Sequence, residues 1–124
     1  MTRFRAESEP ERRALFTDAI TAHRIRDSTF CTFEVEAEDP TWIQVGEDVL
    51  NLDCTDEELD RLESLLSEFS AFSIQELTRP EDADGTNVRI QAYADEERLG
   101  GFLERCFRTV YGQPAEYVVW ASEV

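Results

Sequence analysis

Two aspartates one residue apart run into a glycine at Asp82-Ala83-Asp84-Gly85, the spacing found in the middle of a calcium-binding loop. If Gly85 takes the sixth position of such a loop, the first falls on Pro80, which has no side-chain oxygen. The twelfth, where a bidentate glutamate is required, falls on Gln91. Proline, aspartate and Asp-Gly are turn formers for local backbone reasons, so the segment reads as the loop of a hairpin. A second acid group, Asp53-Cys-Thr-Asp-Glu-Glu-Leu-Asp60, gathers five carboxylates at a helix start. Neighbouring positions on a helix diverge, and the helix dipole already favours acids in a first turn. No metal site is expected.

Nucleophilic chemistry has few candidates. Cys54 precedes that helix start, where a dipole lowers a thiol pKa, but the adjoining carboxylates oppose a thiolate. The only histidine is His23, at the end of an apolar helical stripe, and a Cys54–His23 dyad is expected to be absent. One histidine also leaves no Ser-His-Asp set to assemble. Gly100-Gly101 lies inside a helical pattern, so it reads as close helix packing or a kink and not as a phosphate loop. No catalytic residue, cofactor site or cofactor is expected. A carboxylate-only enzyme would rest on Glu34, Glu36 and Asp53, and would need two of them to meet in one apolar cleft.

Three aromatics remain. Large aromatics are common core residues, and that is the first reading of Trp42, Tyr117 and Trp120; Trp42 and Trp120, however, fall on strands near the expected sheet edges. Aromatics are enriched at interfaces, and an uncovered edge strand invites pairing with another chain. They are the candidate partner-binding residues, with a homodimer through the last strand as one outcome.

The elements that must position these residues emerge from periodicity. Ser8 and Glu11 form a capping box around Pro10, and Leu15, Phe16, Ala19, Ile20 and His23 make the buried stripe of a helix over 9–26. Alternation over 29–37 puts Cys31, Phe33, Val35 and Ala37 on one face and Thr32, Glu34 and Glu36 on the other, a half-buried strand. Strands over 42–45 and 49–53 follow, joined by a tight turn centred on Gly46-Glu47. Thr55 and Glu58 cap a second helix with Leu59, Leu62, Leu65, Leu66 and Phe69 inward. Strands over 72–77 and 87–93 follow. Asp95 caps a third helix burying Leu99, Phe102, Leu103, Cys106 and Val110, which Gly112 and Pro114 end. A last strand covers 117–121.

The predicted class is α+β: one domain, a single antiparallel sheet of five to six strands and about three helices, in the order α-β-β-β-α-β-β-α-β. The alternative is a ferredoxin-like βαββαβ unit with an N-terminal extension. The element order also resembles that of type III secretion chaperone and YbjN-like folds.

Charge separates functions further. Against 28 Asp and Glu stand 12 basic residues, all arginine, for a net charge of −16 over 124 residues. That field repels phosphates, so nucleic acid is not an expected partner. The acids recur along the whole chain, which points to a surface kept hydrated in concentrated salt. No apolar run is long enough for a membrane span, and the first residues lack the apolar middle of a signal peptide. Three scattered cysteines give neither a disulfide framework nor a zinc site. A cytoplasmic location follows as the expectation.

The segments WIQVGEDVLNLDCTDEELDRLE (residues 42–63) and DGTNVRIQAYAD (residues 84–95) resemble a family of short, acidic haloarchaeal proteins of unknown function. The resemblance implies a lineage and no mechanism. The expected function is therefore a non-catalytic protein-interaction module with an unidentified protein partner or a second copy. A small-ligand-binding or sensor domain is the alternative.

Overall fold

A computed structural model describes residues 3–26, 30–82 and 85–122. Its elements run β1 (Arg3–Ala6), α1 (Glu9–Arg26), β2 (Cys31–Val35), β3 (Trp42–Gly46), β4 (Val49–Cys54), α2 (Asp56–Leu66), β5 (Phe72–Thr78), β6 (Thr86–Ala92), α3 (Glu96–Arg105) and β7 (Val119–Ser122). A π-helical turn, Cys106–Val110, continues α3. The strands form one antiparallel sheet in the order β1-β7-β2-β3-β4-β6-β5.

Single sheet and three helices agree with the sequence; the strand count does not. Among the described residues there are seven strands instead of five or six, and the order starts with a strand. Arg-Phe-Arg-Ala is too short and too charged to announce itself, and it becomes β1 only because β7 offers an edge. The ferredoxin-like alternative is also set aside. It would place the last strand beside β4, whereas β4 lies between β3 and β6, and β7 lies between β1 and β2.

The tight turn is shifted by one residue. Gly46 remains in β3, opposite Val49, and the turn is Glu47-Asp48. Asp48 carries the positive φ, +58°, a conformation that aspartate tolerates better than most residues with a Cβ. The loop between β5 and β6 sits where the Asp82–Gly85 motif does, as expected of a hairpin, although Ala83 and Asp84 lie outside the described residues, as does Thr29 ahead of β2.

Alternation sorts the sheet into two faces. Phe33, Val35, Ile43, Val45, Leu50, Leu52, Val88, Ile90, Val119 and Ala121 point inward and are buried. Onto them pack Phe16 and Ile20 of α1, Leu62 and Leu65 of α2, and Leu99, Phe102 and Leu103 of α3. Phe16 meets Phe33 edge-on at 4.9 Å, and Phe72 stacks on Phe102 at 4.4 Å, contacts that fix how α1 and α3 sit on the sheet. Both predicted capping boxes form: Ser8 with Glu11 at α1, and Thr55 with Glu58 at α2.

Gly100 is where α1 and α3 approach. A Cβ there would lie 3.1 Å from Thr17 Oγ1 and 3.4 Å from Phe16 Cβ, whereas one at Gly101 would meet only the tip of Arg13, at 3.2 Å. Gly100→Val is therefore expected to cost about 1–3 kcal/mol by overpacking. Gly101→Ala is expected to gain about 0.5–1 kcal/mol from helix propensity, because an arginine tip moves aside easily. Urea midpoints of the two variants at constant salt measure both.

Candidate functional site

The open face of the sheet brings two of the three predicted aromatics together. Cross-strand register places Arg5 opposite Trp120, Trp120 opposite Glu34, and Glu34 opposite Trp42. These four residues form one row across β1, β7, β2 and β3, with side chains on the face away from the helices. Glu34 is exposed, and both tryptophans are half-buried. Beside the row, a cleft of about 340 Å³ is lined by Glu34, Glu36, Pro40, Trp120 and Ser122 among others. Trp42 stands across Glu34, outside the cleft lining.

Polar contacts hold this corner. Trp120 Nε1 donates to Glu36 Oε1 at 3.3 Å. The Arg5 guanidinium lies 5.9 Å from the centre of the Trp120 ring and 3.7 Å from Glu36 Oε2. It lies 3.9 Å from Glu7. A surface of two carboxylates, an indole face and a loosely held cation suits recognition of charged side chains. It offers no nucleophile with a base.

The expectation that these tryptophans lie at sheet edges is corrected. β3 lies between β2 and β4, and β7 lies between β2 and β1, so both are interior strands. Pairing of two copies through the last strand therefore has no free edge to use. Trp42 and Trp120 are accessible through the sheet's face instead.

Tyr117 belongs to a different place. It is buried under the Arg12 guanidinium, which stacks 3.9 Å above its ring. Arg12 Nε and Nη2 donate to the two oxygens of Glu104 at 2.9 and 2.7 Å, and Nη1 donates to the carbonyls of Glu7 and Tyr117. The Tyr117 hydroxyl donates to Glu104 Oε1 at 2.9 Å. Burial alone would lower the Arg12 pKa, but hydrogen bonds and charge from Glu104 outweigh it and raise it. This cluster ties α1, α3 and the approach to β7 together, and so Tyr117 is a core residue.

The three carboxylate-enzyme candidates do not meet in one apolar cleft. Glu34 and Glu36 share the cleft, but both are exposed, and Asp53 accepts from Asn87 on the exposed surface at the far end of β4. Among the described residues no group of three or more His, Cys, Asp or Glu is placed to hold a metal.

Cys54 is buried beside Asp53, Glu58, Arg61 and Tyr111. Burial, with Glu58 and Asp53 adding to it, pushes its thiol up to about 12. The lowering by a helix dipole is overridden. Burial likewise pushes Cys31 to about 12, and Cys106 is raised by burial and then by Cys54. None of the three thiols is expected to react with a thiol reagent in the folded protein near pH 8, and all three should react in urea. The same shifts predict alkaline instability. The folded state keeps these thiols protonated while the unfolded chain ionises them from about pH 9, so stability is full below that value. It falls as pH rises from about 9 towards 12, the window between the unfolded and folded pKa values. Urea melts at stepped pH check it.

Fold and surface together define an α+β protein with helices on one face of its sheet and an uncovered, acid- and tryptophan-bearing face on the other. Over residues 1–124 the chain matches a family described as a family of unknown function (DUF7975), and it belongs to that family. No curated protein and no solved structure matches it. No helix among the described residues is long and apolar enough to cross a membrane.

Proposed function

We propose that the protein is a non-catalytic interaction module that presents the open face of its sheet to a protein partner in a salt-rich cytoplasm. The observation that carries the reading is the placement of both tryptophans of the chain on that face, flanking Glu34 in one cross-strand row. Tryptophan is the residue most enriched at binding hot spots, and half-buried indoles on a rigid sheet lose little conformational entropy on contact.

The charge supports the second half of the reading. Among the described residues Glu104 is the only carboxylate in the core; the others are distributed over the outside. Such a surface keeps water and cations bound when salt competes for both, and arginine alone supplies its counter-charges.

The test compares wild-type protein with the Trp42→Ala/Trp120→Ala double variant as bait in cell extract at about 1 M KCl. A partner held by the wild type and lost by at least about 30-fold in the variant is expected, since a hot-spot truncation costs about 2 kcal/mol or more. Circular dichroism should show the variant folded. Equal capture by the two baits would remove the open face from the proposal.

A further inference from the structure

We propose that the cleft beside Trp120 is a receptor for an arginine side chain of the partner, and that Arg5 is its internal competitor. This deepens the interaction-module reading and rests on it.

The chemistry of the cleft carries the proposal. One wall is an indole face, and Glu34 and Glu36 lie beside it on alternate positions of one strand and its extension. The turn that closes the cleft, between Glu36 and Pro40, also carries exposed Glu38 and Asp39. A ring quadrupole with adjacent carboxylates attracts a cation, and a planar guanidinium can stack on the ring while it bonds the carboxylates through its fork. An ammonium group can do only one of these well. A metal ion would gain nothing from the indole, and an anion would meet carboxylates on every side.

Arg5 shows the same chemistry within the chain. Its guanidinium takes the Trp120 face and the Glu36 carboxylate together, yet at 5.9 and 3.7 Å both contacts are too long to be tight. Its side chain remains 43% exposed. None of the ion pairs among the side chains described involves Glu34, and Arg5 meets Glu36 only loosely, a cation parked at the cleft's edge that a better-seated guanidinium would displace.

The experiment follows the two indole N–H signals by NMR while acetyl-arginine amide is added to the whole protein, with acetyl-citrulline amide as the neutral isostere. Arginine is expected to shift the Trp120 signal saturably and citrulline is not. Arg5→Gln, which leaves the backbone pairing of β1 intact, should tighten arginine binding by about two- to fivefold, the worth of an exposed cation–π contact. Glu36→Gln should weaken it. Equal shifts from arginine and citrulline, or none from either, would overturn the cation receptor. If partner capture still depended on Trp42 and Trp120 in that case, the interaction reading would stand without it. Arginine binding combined with capture indifferent to both tryptophans would instead overturn the interaction reading alone. Weaker binding after Arg5→Gln would make Arg5 a part of the site and end its role as competitor.

Discussion

Arg12→Met is expected to cost the fold about 3–5 kcal/mol, the loss seen when one partner of a buried ion pair is removed. The Arg12 and Glu104 side chains are 1% and 2% exposed, and the guanidinium donates to both carboxylate oxygens and two backbone carbonyls. Without it Glu104 keeps, among the described residues, only the Tyr117 hydroxyl, and a carboxylate has room for more acceptor bonds than that. Two carbonyls at the junction of β1 with α1 and before β7 lose their donor as well. A domain of ordinary stability has about 5–15 kcal/mol in total, so the variant should lie near the edge of folding. Replacing both partners, as Arg12→Met/Glu104→Leu, should restore part of the loss, because no uncompensated charge remains, while the two carbonyls and the Tyr117 hydroxyl still lack their partners. Urea midpoints of the two single variants and the double variant, at one salt concentration, close the cycle. A cost of less than about 1 kcal/mol for Arg12→Met would rank the pair with surface salt bridges and would mean that water reaches it.

The pair also shows what pattern reading missed. Arg12 lies one helical turn before Phe16 on the buried stripe of α1, and Glu104 lies three residues before Phe107 on α3. An opposite-charge pair, each member extending an apolar stripe, was a legible signal. Spacing alone, however, does not separate it from the solvent-facing charges of the helices, such as Asp56, Glu57, Asp60 and Glu63. Where burial and periodicity agree, as at Phe33, Leu62, Leu99 and Val110, the sequence reading was right, since alternation and helical spacing leave only one face to bury.

The site was half legible for a related reason. Alternation alone turns Trp42 and Trp120 away from the face that buries Ile43, Val119 and Ala121. That they share a row with Glu34 depends on register between strands far apart in sequence, which no local pattern carries. The expected edge position fails for Trp120 because β1, four residues long, covers β7, and for Trp42 because β3 lies between β2 and β4. Tyr117 was open to two readings, core residue and partner contact, and packing selects the first: its hydroxyl and ring are both used by Glu104 and Arg12, partners that only the packing of α1 on α3 supplies.

Raising KCl from about 0.01 to about 1 M should stabilise the protein strongly, moving its urea midpoint upward throughout. Two effects of salt oppose each other here. Screening weakens the exposed pairs Arg79–Asp56, Arg105–Glu68 and Arg13–Glu9, each worth at most about 1 kcal/mol, and to a lesser degree the half-buried Arg24–Glu96. Screening also relieves repulsion among carboxylates that outnumber the arginines by 28 to 12. With a Debye length of about 30 Å at the lower concentration, every acid on a domain of this size feels most of the others; at about 3 Å each feels only its neighbours. The second effect involves the whole surface and should win. Lowering pH towards the isoelectric point near 4.3 should then stabilise the protein in dilute buffer while doing little at high salt, since both treatments remove the same repulsion. A midpoint unchanged by KCl would mean that repulsion is already absorbed by local pairing. The acids of the open face would then have to be explained by what they bind, with the cleft beside Trp120 the first place to look.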